Sequence, residues 1–319
     1  MGRVRLDRRN QNLLMKTLRM LSAQPAIDYY AWQIEVCIHN FASLGYKNID
    51  IVAGYQDEIP ESWNKIYQTY SDIARFFFYK DTMGECNYPP AIQAHLLQKH
   101  FKKHPDLIND AFFFHDADFV FTKYMDFTPY LNDDIWYFSD TISYIGYDYI
   151  MSKGEEILKA MCNQVGISKK LVEFNKHRSG GAQKLMKNLT AHYWKKVEQD
   201  SKALYNLLTD MQHIKKEGDP NGIQAWTASM WAELWNAWFF GHHVEVPRNF
   251  DFAWATCQAD RWDDVYFFHN AGVMNSTQGM FHKASYMNEL PFQTDLQLDP
   301  NRCSSKYYDM IKSMKSCLV

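Results

Sequence analysis

Two aspartates one residue apart, Asp116-Ala117-Asp118, follow the apolar run Ala111-Phe112-Phe113-Phe114 and precede a second one, Phe119-Val120-Phe121. Carboxylates spaced this way at a strand end can hold a divalent cation directly or through water. Hard oxygen ligands suit Mn²⁺ or Mg²⁺, and either ion neutralises a diphosphate. An acidic turn that merely ends a strand would use the same residues. The place of the pair favours the metal reading, because four strand-like stretches precede it and a nucleotide-binding half would end there. Much later, His269 closes the apolar stretch Phe267-Phe268-His269, and Lys283 follows in Phe281-His282-Lys283. Imidazole is an acceptable ligand for Mn²⁺ beside carboxylates, so His269 could complete the same site. Lys283 could then meet the diphosphate as a point charge and help it leave. Taken alone, His269 would be a hydrogen-bonded core histidine.

Other residues are candidates by type. Gly180-Gly181 would let a backbone approach a sugar closely, because no Cβ intervenes; an ordinary turn opening the following helix explains the pair equally well. Glu233 is a lone acid among Trp231, Leu234, Trp235 and Trp238, which recur at helical spacing and read as core. Buried near a donor, Glu233 could act as a general base or fix a sugar hydroxyl; otherwise it marks the wet face of its helix. A nucleotide would sit at the ends of the first strands. There Gln24 is a candidate base contact, and Tyr29, Tyr30 or Tyr55 could stack on the base. The stretch Cys86-Asn87-Tyr88-Pro89-Pro90 is a further candidate for the donor pocket.

The elements that must carry these residues read as α/β. Strands are expected near Lys16–Ala23, Asn48–Ala53, Ala74–Tyr79 and Asp110–His115, with helices at Tyr29–Leu44, Ser62–Ser71 and Pro90–His104 between them. A strand at Ile135–Ser139 follows. Two long helices, Thr190–Lys216 and Gln224–Phe240, flank the turn Glu217-Gly218-Asp219-Pro220-Asn221-Gly222. Strand-like pieces return at His243–Val246, Phe252–Ala255 and Val265–His269. No repeat or linker divides the chain, so residues 16–290 are read as one domain with a helical insertion on the acceptor side. Residues 1–15 form a basic arm before it, and 291–319 a C-terminal extension packed on it.

Composition excludes several classes. The net charge of −3 gives no overall nucleic-acid footprint, although Arg3, Arg5, Arg8, Arg9, Lys16 and Arg19 are concentrated at the start. The six cysteines form no CxxC pair, which fits a reducing compartment. No segment reaches the roughly 18 apolar residues of a membrane span, so a cytoplasmic protein without a membrane partner is expected. The aromatic share of 16% supplies either stacking surfaces or an aromatic-rich core.

At Asp116-Ala117-Asp118, and at His269 with Lys283 after it, the chain resembles metal-dependent glycosyltransferases of the GT-A fold, a Rossmann-like architecture for nucleotide-diphosphosugars. The stretches Ala31-Trp32-Gln33-Ile34-Glu35, Ser179-Gly180-Gly181-Ala182-Gln183 and Trp226–Trp235 extend the likeness from about Met20 to Tyr286. They are similar to phage and giant-virus glycosyltransferases, including TET-associated enzymes that act on 5-hydroxymethylpyrimidines in DNA, and to plant enzymes that modify hydroxyproline or serine. The resemblance implies Mn²⁺ (or Mg²⁺) on Asp116, Asp118 and His269, a UDP-sugar donor, and Lys283 on the phosphates. The family's Lys-Pro-Trp is Lys283-Ala284-Ser285 here. Gln183 resembles the amide that retaining enzymes place against the anomeric carbon. The implied reaction moves a sugar to a hydroxyl. The preferred acceptor is the hydroxymethyl group of 5-hydroxymethylcytosine or -uracil in DNA, contacted by the basic arm and by Lys169, Lys170, Lys176, His177 and Arg178, in the host cytoplasm if the chain is viral. A glycan or protein hydroxyl is the alternative acceptor, and a non-catalytic nucleotide-sugar-binding protein or a metal-dependent phosphate hydrolase the alternative class.

Overall fold

Three strand-helix repeats open the described residues. They comprise β1 (Leu18–Pro25), α1 (Asp28–Ser43), β2 (Ile49–Tyr55), α2 (Glu61–Tyr70), β3 (Ala74–Lys80) and α3 (Ile92–Lys103), and they lead into β4 (Ala111–Phe114). The computed structural model describes residues 16–214 and 222–319; the basic arm 1–15 and the turn 217–221 lie outside them. Beyond β4 come β5 (Phe119–Phe121), β6 (Trp136–Asp140) and four short helices, α4 (Ile142–Ile145), α5 (Tyr147–Lys153), α6 (Glu155–Val165) and α7 (Lys169–Phe174). Strand β7 (Gly180–Lys187) then leads to the long helices α8 (Ala191–Ile214) and α9 (Ala228–Phe239). The last third contributes β8 (Val244–Glu245), β9 (Phe252–Trp254), α10 (Arg261–Asp264), β10 (Phe267–His269) and α11 (Cys303–Ser313).

The large sheet has the order β3-β2-β1-β4-β7-β6-β8. Strands β3, β2, β1 and β4 are mutually parallel, and β7 runs antiparallel to both β4 and β6. This is the α/β class read from the sequence, with a parallel first half. Side chains alternate across the sheet. Met20 and Phe113 enter one core with α1 and α11, whereas Leu21, Phe112 and Phe114 enter the other with α3, α8 and α9. A second sheet, β5-β10-β9, joins the first core.

Helix α1 is enclosed over the unbroken run Ala31–Ile38. Glu35 within it is fully buried, and it accepts hydrogen bonds from Tyr70 Oη (3.1 Å), Ser316 Oγ (2.5 Å) and the Cys317 amide (2.6 Å). The two basic residues of the N-terminal group that are described serve the fold. Lys16 donates to Asn188 (2.8 Å), and Arg19 bridges Asp110 (2.5 Å) and Asp50 (3.6 Å).

One element differs from expectation. Gly180-Gly181 open no helix, and Gln183 is not on a helix surface: the segment is β7, buried along its whole length. Its period-two pattern is hidden because Lys184 and Lys187 stand inside the protein. Each meets an acid there, Lys184 pairing with Glu233 and Lys187 with Asp133 (2.5 Å). The glycines permit close packing rather than a turn. A Cβ on Gly180 would strike Phe138, Val246 and the Ser139 carbonyl, and one on Gly181 would strike the tip of Met230. Gly180→Ala is therefore expected to cost about 1–3 kcal/mol and Gly181→Ala less, because Met230 can move aside and backbone cannot. Urea midpoints of the two variants, compared at equal m, check the order.

Candidate functional site

Strands β1 and β4 point their carboxyl ends the same way, and the residues after them form one floor. His115 extends β4 by donating its amide to Leu21 O (3.1 Å), which leaves Asp116-Ala117-Asp118 as the link into β5. Antiparallel pairing sets His269 of β10 opposite Phe119 of β5, one residue from Asp118. The Asn270 amide donates to Asp118 O (3.1 Å) and fixes that register. Sheet pairing thus brings together side chains far apart in sequence.

The result is a three-ligand cluster. One ligand atom from each of Asp116, Asp118 and His269 lies within 4.8 Å of the others. His269 Nε2 is 3.2 Å from Asp118 Oδ1 and 3.5 Å from Asp116 Oδ2. Two carboxylates and one imidazole are a donor set that Mn²⁺ accepts. Lys283 Nζ bonds Asp118 Oδ2, and Gln93 Nε2 donates to Asp116 Oδ1 (3.0 Å). The imidazole of His269 stacks on Trp254, with ring centroids 5.8 Å apart.

Electrostatics bind the cluster. Burial alone would raise the Asp118 carboxyl, but Lys283 and His269 hold it well below the usual carboxylate range. Burial opposes charge on His269, yet Asp118 and then Asp116 outweigh it and raise the imidazole above its ordinary value. Lys283 is likewise held above its ordinary value against burial, chiefly by Asp118. Behind the floor, His115 is fully buried, and burial pushes it down to about 4.

The cluster lies in a cleft of about 350 Å³. One wall is Gln24, Tyr29, Tyr30 and Gln33, from the end of β1 and the start of α1. Burial, with help from Tyr29 and Asp118, pushes Tyr30 up to about 12, so its hydroxyl stays protonated. Gln24 Nε2 donates to Val52 O (3.3 Å), while its buried Oε1 has no hydrogen-bond partner among the described residues. Pro89 and Pro90 line the cleft ahead of α3, and Ser229 and Met230 line it from α9. Trp226 stands at the rim, 61% exposed, with its carbonyl held by Tyr88 Oη (2.6 Å).

Asp116, Ala117, Asp118, His269, Lys283 and Gln24 of the sequence candidates all line this cleft, together with Tyr29, Tyr30, Pro89 and Pro90. Tyr55, Gly180, Gly181, Gln183 and Glu233 are not among its lining residues. Glu233 is not a lone acid. Its carboxylate is buried against Lys184, whose ammonium also lies 4.8 Å from the centre of the Phe114 ring, and burial raises its pKa. Gln183 stands behind His269, its Nε2 3.4 Å from Nδ1. Gln93 escaped the sequence reading; its only signal was a helix opened by prolines at a strand end. Trp226 escaped too, since it heads a stretch whose other tryptophans are core.

No protein-family model matches the chain, and no curated protein sequence matches it. Among solved structures it is similar to the WbbM bifunctional glycosyltransferase in its apo form, at 9% identity and a TM-score of 0.46, over 93% of this chain and 50% of that one. It is similar to the glycosyltransferase GlyE of Streptococcus pneumoniae TIGR4 at 12% identity and 0.43, over 94% of this chain and 61% of that one. An active-site variant of LgtC gives 12% identity and 0.48, over 93% and 96% of the two chains. The chain therefore spans 50% of WbbM and 61% of GlyE.

Proposed function

We propose that this chain is a divalent-metal-dependent glycosyltransferase of the GT-A type that moves a sugar from a UDP-sugar to an acceptor hydroxyl. The observation that carries the reading is the convergence of Asp116, Asp118 and His269 on the floor of a cleft walled by Tyr29 and Tyr30. A bound Mn²⁺ or Mg²⁺ supplies Lewis-acid neutralisation of the departing diphosphate. Tyr29 or Tyr30 offers a ring to the base, and the unpartnered Oε1 of Gln24 offers it an acceptor. Lys283 adds a cation beside the same floor. Positioning of the acceptor oxygen contributes the rest. Retention of anomeric configuration follows the family resemblance.

For the acceptor, the resemblance to viral enzymes leads us to a 5-hydroxymethylpyrimidine in DNA, in a cytoplasmic setting consistent with six unpaired cysteines. The exposed ring of Trp226 at the rim offers a face to a base out of the stack. One observation favours the second acceptor, a glycan or protein hydroxyl. In the proposed DNA-contacting cluster, Lys169 is paired with Glu155 (2.6 Å) and Arg178 with Glu245 (3.2 Å), which diminishes the charge offered to phosphates. Among the described residues no helix is long and apolar enough to cross a membrane.

UDP-sugars with Mn²⁺ are to be offered duplex DNA containing 5-hydroxymethylcytosine, and the digested nucleosides weighed by mass spectrometry. A hexose-sized gain absent from Asp118→Ala is the expected result. Metal-dependent hydrolysis of a UDP-sugar without a gain on DNA would move the acceptor to a glycan or protein. Binding without any turnover would leave a nucleotide-sugar-binding protein.

A further inference from the structure

The strand that carries Gln183 is deformed where it passes His269. Across the β6–β7 ladder Phe138 faces Lys184 and Ser139 faces Gly181, so two consecutive residues of β6 meet residues three apart on β7. Ala182 and Gln183 are the surplus. Ala182 takes φ +53°, a left-handed conformation that a residue with a Cβ rarely adopts. Such bulges re-aim a side chain, and strained backbone of this kind concentrates at functional sites. Here the bulge places the fully buried Gln183 amide between Ser139 and His269. Ser139 Oγ donates to Gln183 Oε1 (3.0 Å), and Gln183 Nε2 lies 3.4 Å from His269 Nδ1.

We infer that Gln183, anchored by Ser139, is the positioning residue that sets the tautomer of His269 for metal binding; this rests on the metal-dependent reading above. The inference follows from donor and acceptor inventory. When the imidazole is neutral and the amide NH₂ faces Nδ1, that nitrogen accepts, and Nε2 carries the proton it presents to Asp118 and Asp116. A cation on the two carboxylates needs the Nε2 lone pair, so the proton must sit on Nδ1 and find an acceptor. Turning the Gln183 amide by half a revolution presents Oε1 to Nδ1–H and lets NH₂ donate to Ser139. The serine hydroxyl can accept as well as donate, so the Gln183–Ser139 contact is available in either orientation. The amide and hydroxyl thus serve both states of the histidine.

The test measures Mn²⁺ affinity of the full chain without sugar nucleotide, from the loss of the free-ion electron paramagnetic resonance signal. Gln183→Met keeps length and removes both polar atoms. It is expected to weaken Mn²⁺ about 10–100-fold, the range for ligand-orienting partners. Gln183→Glu retains an acceptor for Nδ1–H and is expected to bind within a few-fold of wild type, a rescue that mere packing would not give. Ser139→Ala is expected to weaken binding by less than Gln183→Met, and it carries the test should that variant fail to fold. In a His269→Ala background, Gln183→Met is expected to cause no further loss. Unchanged Mn²⁺ affinity in both Gln183→Met and Ser139→Ala, with sugar transfer lowered, would overturn the inference and put Gln183 against the sugar. If His269→Ala itself binds Mn²⁺ like wild type, the metal reading of His269 has failed and the inference falls with it.

Discussion

Asp118→Ala is expected to lose Mn²⁺-dependent turnover of a UDP-sugar by about 10²–10³-fold or more in kcat/KM, the scale of removing one preorganised electrostatic contact. The size follows from the geometry. Asp118 is the residue that both His269 and Lys283 touch, so its loss removes a ligand and leaves a buried imidazole and an ammonium with less to oppose them. The same variant should be blind to metal in a melting experiment. Wild type at a hundred times Kd gains about 2.7 kcal/mol from Mn²⁺, whereas the variant should melt at one temperature with or without it. The pH dependence has a definite sign. Asp118 is held low, so its contribution to metal-free stability is present above the ordinary carboxylate range and is lost as pH falls through its folded value. His269 is held high, so its contribution is full below about 6.5 and is lost as pH rises through its folded value. The metal-free cluster therefore contributes most under mildly acidic conditions. Mn²⁺ needs the deprotonated imidazole, and its thermal shift should grow as pH rises through the folded value of His269. A shift that shrinks over that range would remove His269 from the ligand set.

The second large effect is on stability. Glu233→Ala is expected to destabilise the fold by about 3–5 kcal/mol, because it leaves the Lys184 ammonium buried without its partner. Both side chains are about 5% exposed, so water cannot replace the lost bond. Lys184→Met combined with Glu233→Ala should recover much of the loss, since an apolar replacement of a buried pair is often neutral. Chemical denaturation of the two single variants and the double completes the cycle. If Glu233→Ala folds as wild type does and loses only turnover, the acid acts on the sugar and the pairing with Lys184 is incidental.

The early half of the fold was legible because its signals are local. Apolar runs bounded by polar turns gave β1 to β4, and proline at a first helical turn gave the approach to α3. The floor of the cleft was legible for the same reason: a strand end followed by alternating carboxylates is a short-range pattern. What stayed hidden depends on partners distant in sequence. β7 looked unlike a strand because its lysines are satisfied by Glu233 and Asp133, 49 and 54 residues away. Glu233 looked solitary until α9 was laid against β7. Trp226 heads a stretch whose other tryptophans are core, and only its place at the rim shows that its ring faces outward. The inward aim of Gln183 depends on a bulge, and a bulge leaves no mark in composition.

Strand β10 is placed by its neighbour β9 and by β5, the latter some 150 positions earlier in synthesis, about the separation of His269 from Asp118. A ribosome-bound chain grown as far as β7 already displays both aspartates between β4 and β5, yet it lacks their third partner. Such an intermediate offers a cation two carboxylates and no imidazole. The full three-ligand set is therefore not available during early collapse. On the proposed metal reading, a complete three-ligand site would report that the last third has docked, and closure of so long a loop places that docking late in folding.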